Sequence, residues 1–110
     1  MLDATSFFVY TKDVAKTIRF EWDQWNIQKN EQKHGVSAME AESAFYDPNH
    51  KLFKDLKHST IGEKRYIIYA RSLESRVLMV GFTLRSNKVR IITARPASRE
   101  EREIYEKKEN

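Results

Sequence analysis

The stretch FTLRSNKVRIITARPASREEREIY, Phe82–Tyr105, decides the fold that we predict for this chain. It is typical of the end of one strand, a tight turn at Ser86 and Asn87, a second strand that stops at Pro96, and a helix that begins at Ser98. The arginines of this stretch are Arg85, Arg90, Arg95, Arg99 and Arg102. Because guanidinium groups bind phosphates in a bidentate way, a basic hairpin that leads into a basic helix is suited to hold a polyanion.

Segments rich in Ile, Val, Tyr and Phe predict three strands in the second half of the chain, over residues 65–72, 77–84 and 88–95. The connections between these strands are short. They lie at Glu74-Ser75 and at Ser86-Asn87. Short connections of this kind predict an antiparallel meander.

The lengths of these loops determine which side chains share a face of the sheet. If both are two-residue loops, Thr83 lies opposite Arg90 and Tyr66, on a face that is half apolar and half basic, as in a ligand groove. The other face is then the core, with Ile67, Tyr69, Val80, Phe82, Val89 and Ile91. Strict alternation also puts Arg95 on the core face, so either this side chain swings out before Pro96 or the register slips by one residue.

The first half of the chain predicts one strand and two helices. Residues 18–22 alternate between apolar and charged side chains, as in a half-buried strand. The next segment predicts a helix over 24–34 that ends at Gly35, the residue type that favours a left-handed cap. A capping box that starts at Ser37 predicts the second helix, which must end before Pro48.

Together these elements predict an α+β fold, with two N-terminal helices packed on an antiparallel β-sheet of about four strands and a C-terminal helix. Residues 18–110 would form a single domain, and residues 1–17 an N-terminal appendage of uncertain structure. Residues 47–62 are predicted to be a connection, which contains His50 and His58. Because these histidines are too irregularly spaced for a metal site, we expect no metal and no other cofactor.

Composition limits the classes of protein to which this chain can belong. A chain of 110 residues, 40% hydrophobic and 33% charged, suits one domain with a modest core. It has no apolar run of the roughly 20 residues that cross a bilayer and no signal-peptide pattern, so a cytoplasmic location is expected. With no cysteine, disulfides and thiolate sites are excluded. Residues 61–110 hold twelve Lys and Arg against seven Asp and Glu, so the excess positive charge lies in the second half.

Four motifs resemble the BrnT family of bacterial type II toxins: FEWDQWNIQKNEQKHGV from Phe20, FYDP from Phe45, GEKRY from Gly62 and TLRSNKVRIITARPASREEREIY from Thr83. The resemblance extends to Tyr105, and the order and spacing of the motifs make it specific. Asn26 stands where the family usually has a lysine, and Ala38 where it usually has a phenylalanine. The segment before the first motif is longer than is typical of the family.

Members of this family resemble the RelE-like endoribonucleases in fold and are neutralised by a BrnA antitoxin that also binds operator DNA. The resemblance therefore implies the toxin component of a type II toxin–antitoxin system. It implies a cytoplasmic, metal-independent endoribonuclease that cleaves RNA and inhibits translation and growth. The implied partners are an RNA substrate and a BrnA-like antitoxin, with operator DNA contacted only through the antitoxin and no membrane. Homodimerisation within the complex is left open.

Cleavage of RNA without a metal uses the ribose 2′-OH as the nucleophile and needs a base, an acid and cations around the phosphate. The candidate catalytic residues are Lys33, His34, Glu63, Arg65, Arg85, Arg95 and Tyr105. The candidate RNA-binding residues are Lys88, Arg90 and Arg99. The three arginines, Arg65, Arg85 and Arg95, would hold the phosphate, and the other four catalytic candidates compete for the acid and base roles.

Each candidate for proton transfer also has a structural role open to it. In the last helical turn, His34 would be favoured by the helix dipole. Glu63 would pair with Arg65 or Lys64, and Tyr105 would pack back on the sheet. The alternative function is a non-catalytic nucleic-acid- or protein-binding module, although the helices lack the paired arrangement of a helix-turn-helix. A further alternative is a catalytically impaired toxin.

Overall fold

Eight helices and strands follow one another over residues 18–108, the part of the chain that the computed structural model describes. They are β1 (Phe20–Trp22), α1 (Gln24–His34), α2 (Ala38–Ala44), β2 (Lys51–Lys54), β3 (Arg65–Arg71), β4 (Val77–Arg85), β5 (Lys88–Pro96) and α3 (Arg99–Glu106). The strands form one five-stranded sheet in the order β1-β5-β4-β3-β2. The predicted α+β class is confirmed, and the predicted appendage over 1–17 lies outside the described residues.

The sheet has one strand more than the predicted four, and it is mixed. β2 lies within residues 47–62, which were predicted to be a connection, and it pairs with β3 from Lys51 opposite Tyr69 to Lys54 opposite Tyr66. Only four residues long, β2 is too short to show a clear period. β1 pairs with β5 in parallel. β1 and β5 are far apart in sequence, and parallel strands cannot be joined by a tight turn. No local sequence pattern therefore indicates that these two strands pair.

The turn between β4 and β5 is the two-residue loop that the sequence predicts. Arg85 pairs with Lys88, and the two residues between them have φ values of 52° at Ser86 and 60° at Asn87. Two successive left-handed residues match the twist of a hairpin. The predicted position of Thr83 opposite Arg90 is therefore confirmed.

The turn between β3 and β4 is one residue longer than predicted. Arg71 pairs with Val77, and the Ser72 N–H donates to the Arg76 carbonyl at 2.9 Å, so residues 73–75 form the loop. Because side chains alternate with period two, one extra residue turns the whole of β3 over. Arg65 lies opposite Thr83 where Tyr66 was predicted. The prediction that Ile67 and Tyr69 lie in the core is thus wrong, and Tyr66, Ile68 and Ala70 lie there.

A β-bulge at Ile92 resolves the position of Arg95. Phe82 pairs with Ile91, and the preceding residue Gly81 pairs with Thr93, so β5 contains one extra residue at this point. The extra residue interrupts the alternation of side chains. Ala94 is consequently fully buried, and Arg95 points to the opposite side of the sheet. Of the two explanations offered by the sequence, the slip in register is confirmed.

One face of the sheet, the core face, is covered by α2 and carries Tyr66, Ile68, Leu78, Val80, Phe82, Val89, Ile91 and Ala94. The Phe45 ring packs edge-on against Phe20 and Phe82, with ring centroids 5.3 and 5.0 Å apart. Ala41 and Ala44 are fully buried, so α2 approaches the sheet closely. The opposite face, the open face, carries Arg65, Ile67, Tyr69, Val77, Met79, Gly81, Thr83, Arg85, Arg90, Thr93 and Arg95.

α1 covers the outer edge of β5 beyond the short strand β1. The Ala94 N–H donates to Asn30 Oδ1 at 3.2 Å, and Lys29 Nζ donates to the Ile92 carbonyl at 3.2 Å. Two side chains thus bond backbone groups that an adjacent strand would otherwise use. A strand edge satisfied in this way cannot pair with another chain.

Gly35 gives a direct test of the cap of α1. Its φ is 65°, in the left-handed region, and a Cβ built there meets nothing within 4 Å, so only backbone strain opposes a side chain. We expect Gly35→Ala to lower the free energy of unfolding by about 1 kcal/mol. Gly62 is the matched control, because its surroundings are equally open and its φ lies outside that region. Urea unfolding should show a change of less than about 0.5 kcal/mol for Gly62→Ala; equal losses in the two variants would contradict the explanation.

Candidate functional site

The open face is only partly covered. α3 packs over one end of it, where Tyr105 and Ala97 join Val77 and Tyr69 in a small second core. At the other end the charged side chains stay accessible, and Arg85 is 52% exposed. At this accessible end the sheet brings several arginines and carboxylates together in ion pairs.

These groups follow the register of the sheet. Glu21 on β1 lies beside Arg90 on β5, and Thr83 on β4 separates Arg90 from Arg65 on β3. Asp55 follows β2, and its N–H donates to the Arg65 carbonyl at 2.8 Å. We call the resulting row the charged belt, which consists of Glu21, Asp23, Asp55, Glu63, Arg65, Arg85 and Arg90.

Glu63 and Arg65 are held together at the start of β3. Arg65 Nε donates to Glu63 Oε1 at 2.8 Å, and both side chains are 33% exposed. The backbone around them is fixed, because the Glu63 N–H donates to Thr60 Oγ1 at 3.1 Å and the Arg65 N–H donates to Ser59 Oγ at 2.9 Å. The ion pair between Glu63 and Arg65 that the sequence suggested is therefore present, on an accessible surface.

The other two arginines of the belt differ in how tightly they are held. Arg90 is 20% exposed, and its Nη1 donates to Glu21 Oε1 at 2.7 Å while its Nη2 lies 3.5 Å from Asp23 Oδ2. Arg85 is 52% exposed and lies 3.7 Å from Glu21 and 3.6 Å from Glu63. Exposed pairs at such distances contribute little to stability. Arg85 can therefore exchange its carboxylate partners for a ligand most easily.

A histidine that the sequence did not single out for catalysis adjoins the belt. His58 Nδ1 lies 2.7 Å from Asp55 Oδ2, and the ring is 58% exposed. A carboxylate only accepts hydrogen bonds, so Nδ1 carries the proton, and Nε2 is left for a ligand or solvent. Histidine is the side chain best suited to exchange protons near neutral pH. The only sequence signal was the three-residue spacing from Asp55 in a loop.

Arg95 lies farther along the open face. Its guanidinium makes a bidentate pair with Glu101 at 2.7 and 2.9 Å. Burial alone would raise the pKa of Glu101, but hydrogen bonds from Arg95 and from the Ser98 N–H outweigh it and lower that pKa. Four residues of β4 separate the partner of Arg95 from that of Arg90, which is about 13 Å at roughly 3.3 Å per residue. Arg95 therefore holds α3 on the sheet at a distance from the belt.

Tyr105 packs back on the sheet, as its structural alternative predicted. Only 8% of the residue is exposed, and its hydroxyl donates to Asp47 Oδ2 at 2.6 Å. Burial, together with the hydrogen bond to Asp47, raises the pKa of Tyr105. The Arg71 guanidinium lies 5.7 Å from the centre of the ring. A buried phenol with a raised pKa is a poor proton carrier at neutral pH.

Lys33 and His34 are not brought to the arginines. They form the last turn of α1, next to Gly35, whose carbonyl accepts from Arg76 Nη2 at 2.9 Å. Arg76 precedes β4, and Arg85 ends it, so these positions are nine residues apart, or about 30 Å at roughly 3.3 Å per residue. The predicted set of catalytic residues thus falls into three separate places.

The candidate RNA-binding residues border the belt or lie apart from it. Lys88 is exposed beside Arg85 in the hairpin. Arg99 is 86% exposed on α3, where its Nε lies 3.5 Å from Glu103. In residues 18–108 no group of three or more His, Asp or Glu side chains is arranged to hold a metal ion. None of the helices in this range is long and apolar enough to span a bilayer.

Comparisons with known proteins agree with this architecture. A sequence model described as a ribonuclease toxin, BrnT, of a type II toxin–antitoxin system matches residues 22–101. The fold is similar to the 1.1 Å crystal structure of the Brucella abortus ribonuclease toxin BrnT, with a TM-score of 0.54 and 20% sequence identity. That match covers 76% of this chain and all of the other. No curated protein matches the sequence.

Proposed function

Since the chain belongs to the BrnT family of ribonuclease toxins of type II toxin–antitoxin systems, we propose that it is a metal-independent endoribonuclease that cleaves RNA at the charged belt. Its action as a toxin is then to inhibit translation and growth. The observation that carries the proposal is the belt itself, in which Glu63 and the exposed Arg85 lie 3.6 Å apart on the open face. A carboxylate and a cation at this spacing suit the two demands of phosphodiester cleavage, proton removal and charge stabilisation.

Glu63 acts as the general base in this proposal. It takes the proton of the ribose 2′-OH, whose oxygen attacks the adjacent phosphorus and forms a cyclic phosphate, while the bond to the 5′-oxygen breaks. Arg65 supports the role because its 2.8 Å hydrogen bond fixes one oxygen of Glu63 in position. The second oxygen faces Arg85, so a phosphate bound by Arg85 brings the ribose close to the base.

His58 supplies the proton to the departing 5′-oxygen. Its hydrogen bond to Asp55 orients the ring and keeps the proton on Nδ1, so protonation at Nε2 produces the acid form. Arg85 binds the phosphate and loses only its long ion pairs, whereas Arg90 stays bound to Glu21 and supports the belt. The acid and the base then come from the loop between β2 and β3, and the cation from the end of β4.

The remaining predicted residues take other roles in the proposal. Arg95 and Tyr105 hold α3 in place through Glu101 and Asp47. Lys88 and Arg99 extend the surface that contacts RNA. Lys33 and His34 are left out of the chemical step, because they lie beside Arg76, far from the belt.

We expect the purified protein to cleave single-stranded RNA in the presence of EDTA, and Arg85→Ala to lower the rate about 10²–10³-fold, as for the loss of one charge-stabilising donor. Lys54→Ala is the matched control, because Lys54 pairs with Tyr66 and so lies on the core-face side of the sheet. Its rate should equal that of the wild type. Intact RNA at high protein concentration, together with retardation of RNA in a gel, would instead favour the non-catalytic binding module.

The same family membership supports an antitoxin as the natural inhibitor. We propose that a BrnA-like antitoxin covers the charged belt and carries the contact with operator DNA. Adding the purified antitoxin to the EDTA assay should then abolish cleavage, and expression of the toxin alone should arrest growth. Continued cleavage at saturating antitoxin would exclude the belt as its binding site. Unaffected growth, with cleavage absent in vitro, would indicate an impaired toxin.

A further inference from the structure

A basic surface distinct from the belt lies at the covered end of the open face, between β2 and the last turn of α3. It is a cleft of about 590 Å³, within the range of sites that bind small molecules. We call it the α3 cleft, and it is lined by Asn49, His50, Lys51, Arg71, Tyr105, Glu106, Lys107 and Lys108. Apart from Tyr105, these residues were not among the candidates that the sequence suggested.

The charge of the α3 cleft differs from that of the belt. Four cationic side chains and one carboxylate line it, so its formal charge is +3. Adding the adjacent Asp47 leaves +2, and this carboxylate already accepts hydrogen bonds from the Arg71 N–H and the Tyr105 hydroxyl. The belt, by contrast, contains three arginines and four carboxylates, those of Glu21, Asp23, Asp55 and Glu63. The cleft therefore carries the surplus of positive charge.

Two of the four cationic side chains of the α3 cleft, Lys51 and Arg71, are also held in position. Lys51 Nζ donates to the Lys107 carbonyl at 3.0 Å, which joins β2 to the end of α3. Arg71 is held between the Tyr105 ring, 5.7 Å from its guanidinium carbon, and the Ser75 carbonyl at 3.1 Å from Nη1. Such anchored cations lose less conformational entropy when they bind an anion than mobile ones do.

An aromatic side chain lies between the α3 cleft and the belt. Phe53 is 41% exposed on β2, between Lys51 and Asp55, and its ring centre lies 5.2 Å from that of Tyr69. Exposed rings next to cationic grooves are platforms on which the bases of a single strand stack. Along β3, Arg65 and Arg71 are six residues apart, or about 20 Å at roughly 3.3 Å per residue. A single strand that keeps the duplex rise of roughly 3.4 Å per nucleotide would span this distance in about six nucleotides, and a more extended strand would span it in fewer.

We propose that the α3 cleft binds the phosphates of single-stranded RNA several nucleotides away from the bond cut at the belt, with Phe53 supporting a base between the two sites. The proposal takes RNA as the ligand from the proposed function. Lys51, Arg71 and Lys107 contact the phosphates, and they set the affinity for long RNA without taking part in the chemistry.

Binding of a 2′-O-methylated 12-nucleotide RNA, which lacks the nucleophile and stays intact, tests this proposal by fluorescence anisotropy over a range of salt concentrations. We expect the double variant Lys51→Ala, Lys107→Ala to bind at least about tenfold more weakly at low salt and to lower the slope of log K against log salt by about 1.4, or roughly 0.7 per lost phosphate contact. Phe53→Ala should weaken binding about fivefold or more. Lys54→Ala, on the same strand but the other face, should retain the wild-type affinity and slope.

A two-nucleotide RNA of the same kind is too short to reach from the belt to the cleft even when fully extended, so the double variant should not weaken its binding at the belt. Equal losses for the two lengths, or no loss for either, would overturn the proposal. The proposal would also be overturned if the variants weakened only the binding of the antitoxin, since the cleft would then be a protein-binding surface. Because no cleavage is measured, a protein that binds through the cleft but cuts no RNA would refute the ribonuclease function alone.

Discussion

Glu63→Gln is expected to lower the rate of RNA cleavage by about 10²–10⁴-fold, the usual contribution of a general base. The amide is the same size as the carboxylate, and its oxygen can still accept from Arg65 Nε, so the loop should keep its structure. We therefore expect the substitution to lower kcat and to leave KM nearly unchanged. Multiple-turnover cleavage in EDTA measures kcat and KM, and the unfolding midpoint checks that the fold is kept.

Glu74→Gln is the matched control for this substitution. Glu74 is exposed in the turn between β3 and β4, at the far end of the sheet from the belt, so the same chemical change should leave the rate unaffected. A Glu63→Gln variant that raises KM while keeping kcat would show that Glu63 only positions Arg65. In that case the base lies elsewhere, and His58→Gln should then show the larger loss in kcat.

Arg76→Ala is expected to cost the largest amount of stability of any single charge removal in the described residues, about 2–4 kcal/mol. Glu40 is only 3% exposed, and its two oxygens accept from Arg76 Nη2 and Nε at 2.6 and 2.7 Å. The Ser72 hydroxyl donates to the same carboxylate at 2.6 Å. Removing Arg76 leaves a buried carboxylate with one neutral donor. We place the loss below the upper end of the usual range because 40% of the Arg76 side chain is exposed.

The pH dependence of the two proteins should differ. The hydrogen bond from Arg76 holds the pKa of Glu40 below its ordinary value of 4.5, so this carboxylate stabilises the wild type at neutral pH. That stabilisation is lost as the pH falls below 4.5 and through the lowered pKa. In Arg76→Ala, burial is no longer opposed, and protonation of Glu40 relieves the unpaired charge. Urea unfolding should therefore show a difference between the proteins that shrinks from pH 7 to pH 4.

A constant difference across this pH range would mean that Arg76 stabilises the fold mainly through the Gly35 carbonyl, to which its Nη2 also donates. The double variant Glu40→Leu, Arg76→Met provides the control. Replacing both charges with apolar groups removes the unpaired carboxylate, so most of the lost stability should return.

The local parts of the fold could be predicted from the sequence. Ser37 and Ser98 accept from the N–H groups three residues on, as predicted, and Gly35 ends α1 in the left-handed conformation. The complete capping box is present at Ser98, whereas at Ser37 the Glu40 side chain binds Arg76 and Ser72 instead. The turn at Ser86 and Asn87 has the predicted length. Each of these features depends on side chains within one helical turn or one hairpin, where residue type determines backbone geometry directly.

The features that escaped prediction depend on residues far apart in the chain. Neither β2 nor the parallel pairing of β1 has a local signal, and the three-residue loop before β4 differs from a two-residue loop only in where pairing starts. The site shows the same limit. Glu63 and Arg65 are neighbours in sequence and meet as expected, whereas the contact between Lys51 and Lys107 joins residues 56 positions apart.

The bulge at Ile92 explains how a single strand supplies two arginines to the same surface. Arg90 and Arg95 are five positions apart, and in an unbroken strand an odd separation places two side chains on opposite sides. The bulge interrupts the alternation once between Arg90 and Arg95, so their side chains lie on the same side of the sheet. Val89 and Ala94, also five positions apart, both lie in the interior for the same reason. A scan for basic surfaces that assumes unbroken alternation would therefore discard Arg95. Deleting Ile92 would restore unbroken alternation, so the side chains on one side of the deletion would move to the opposite face of the sheet.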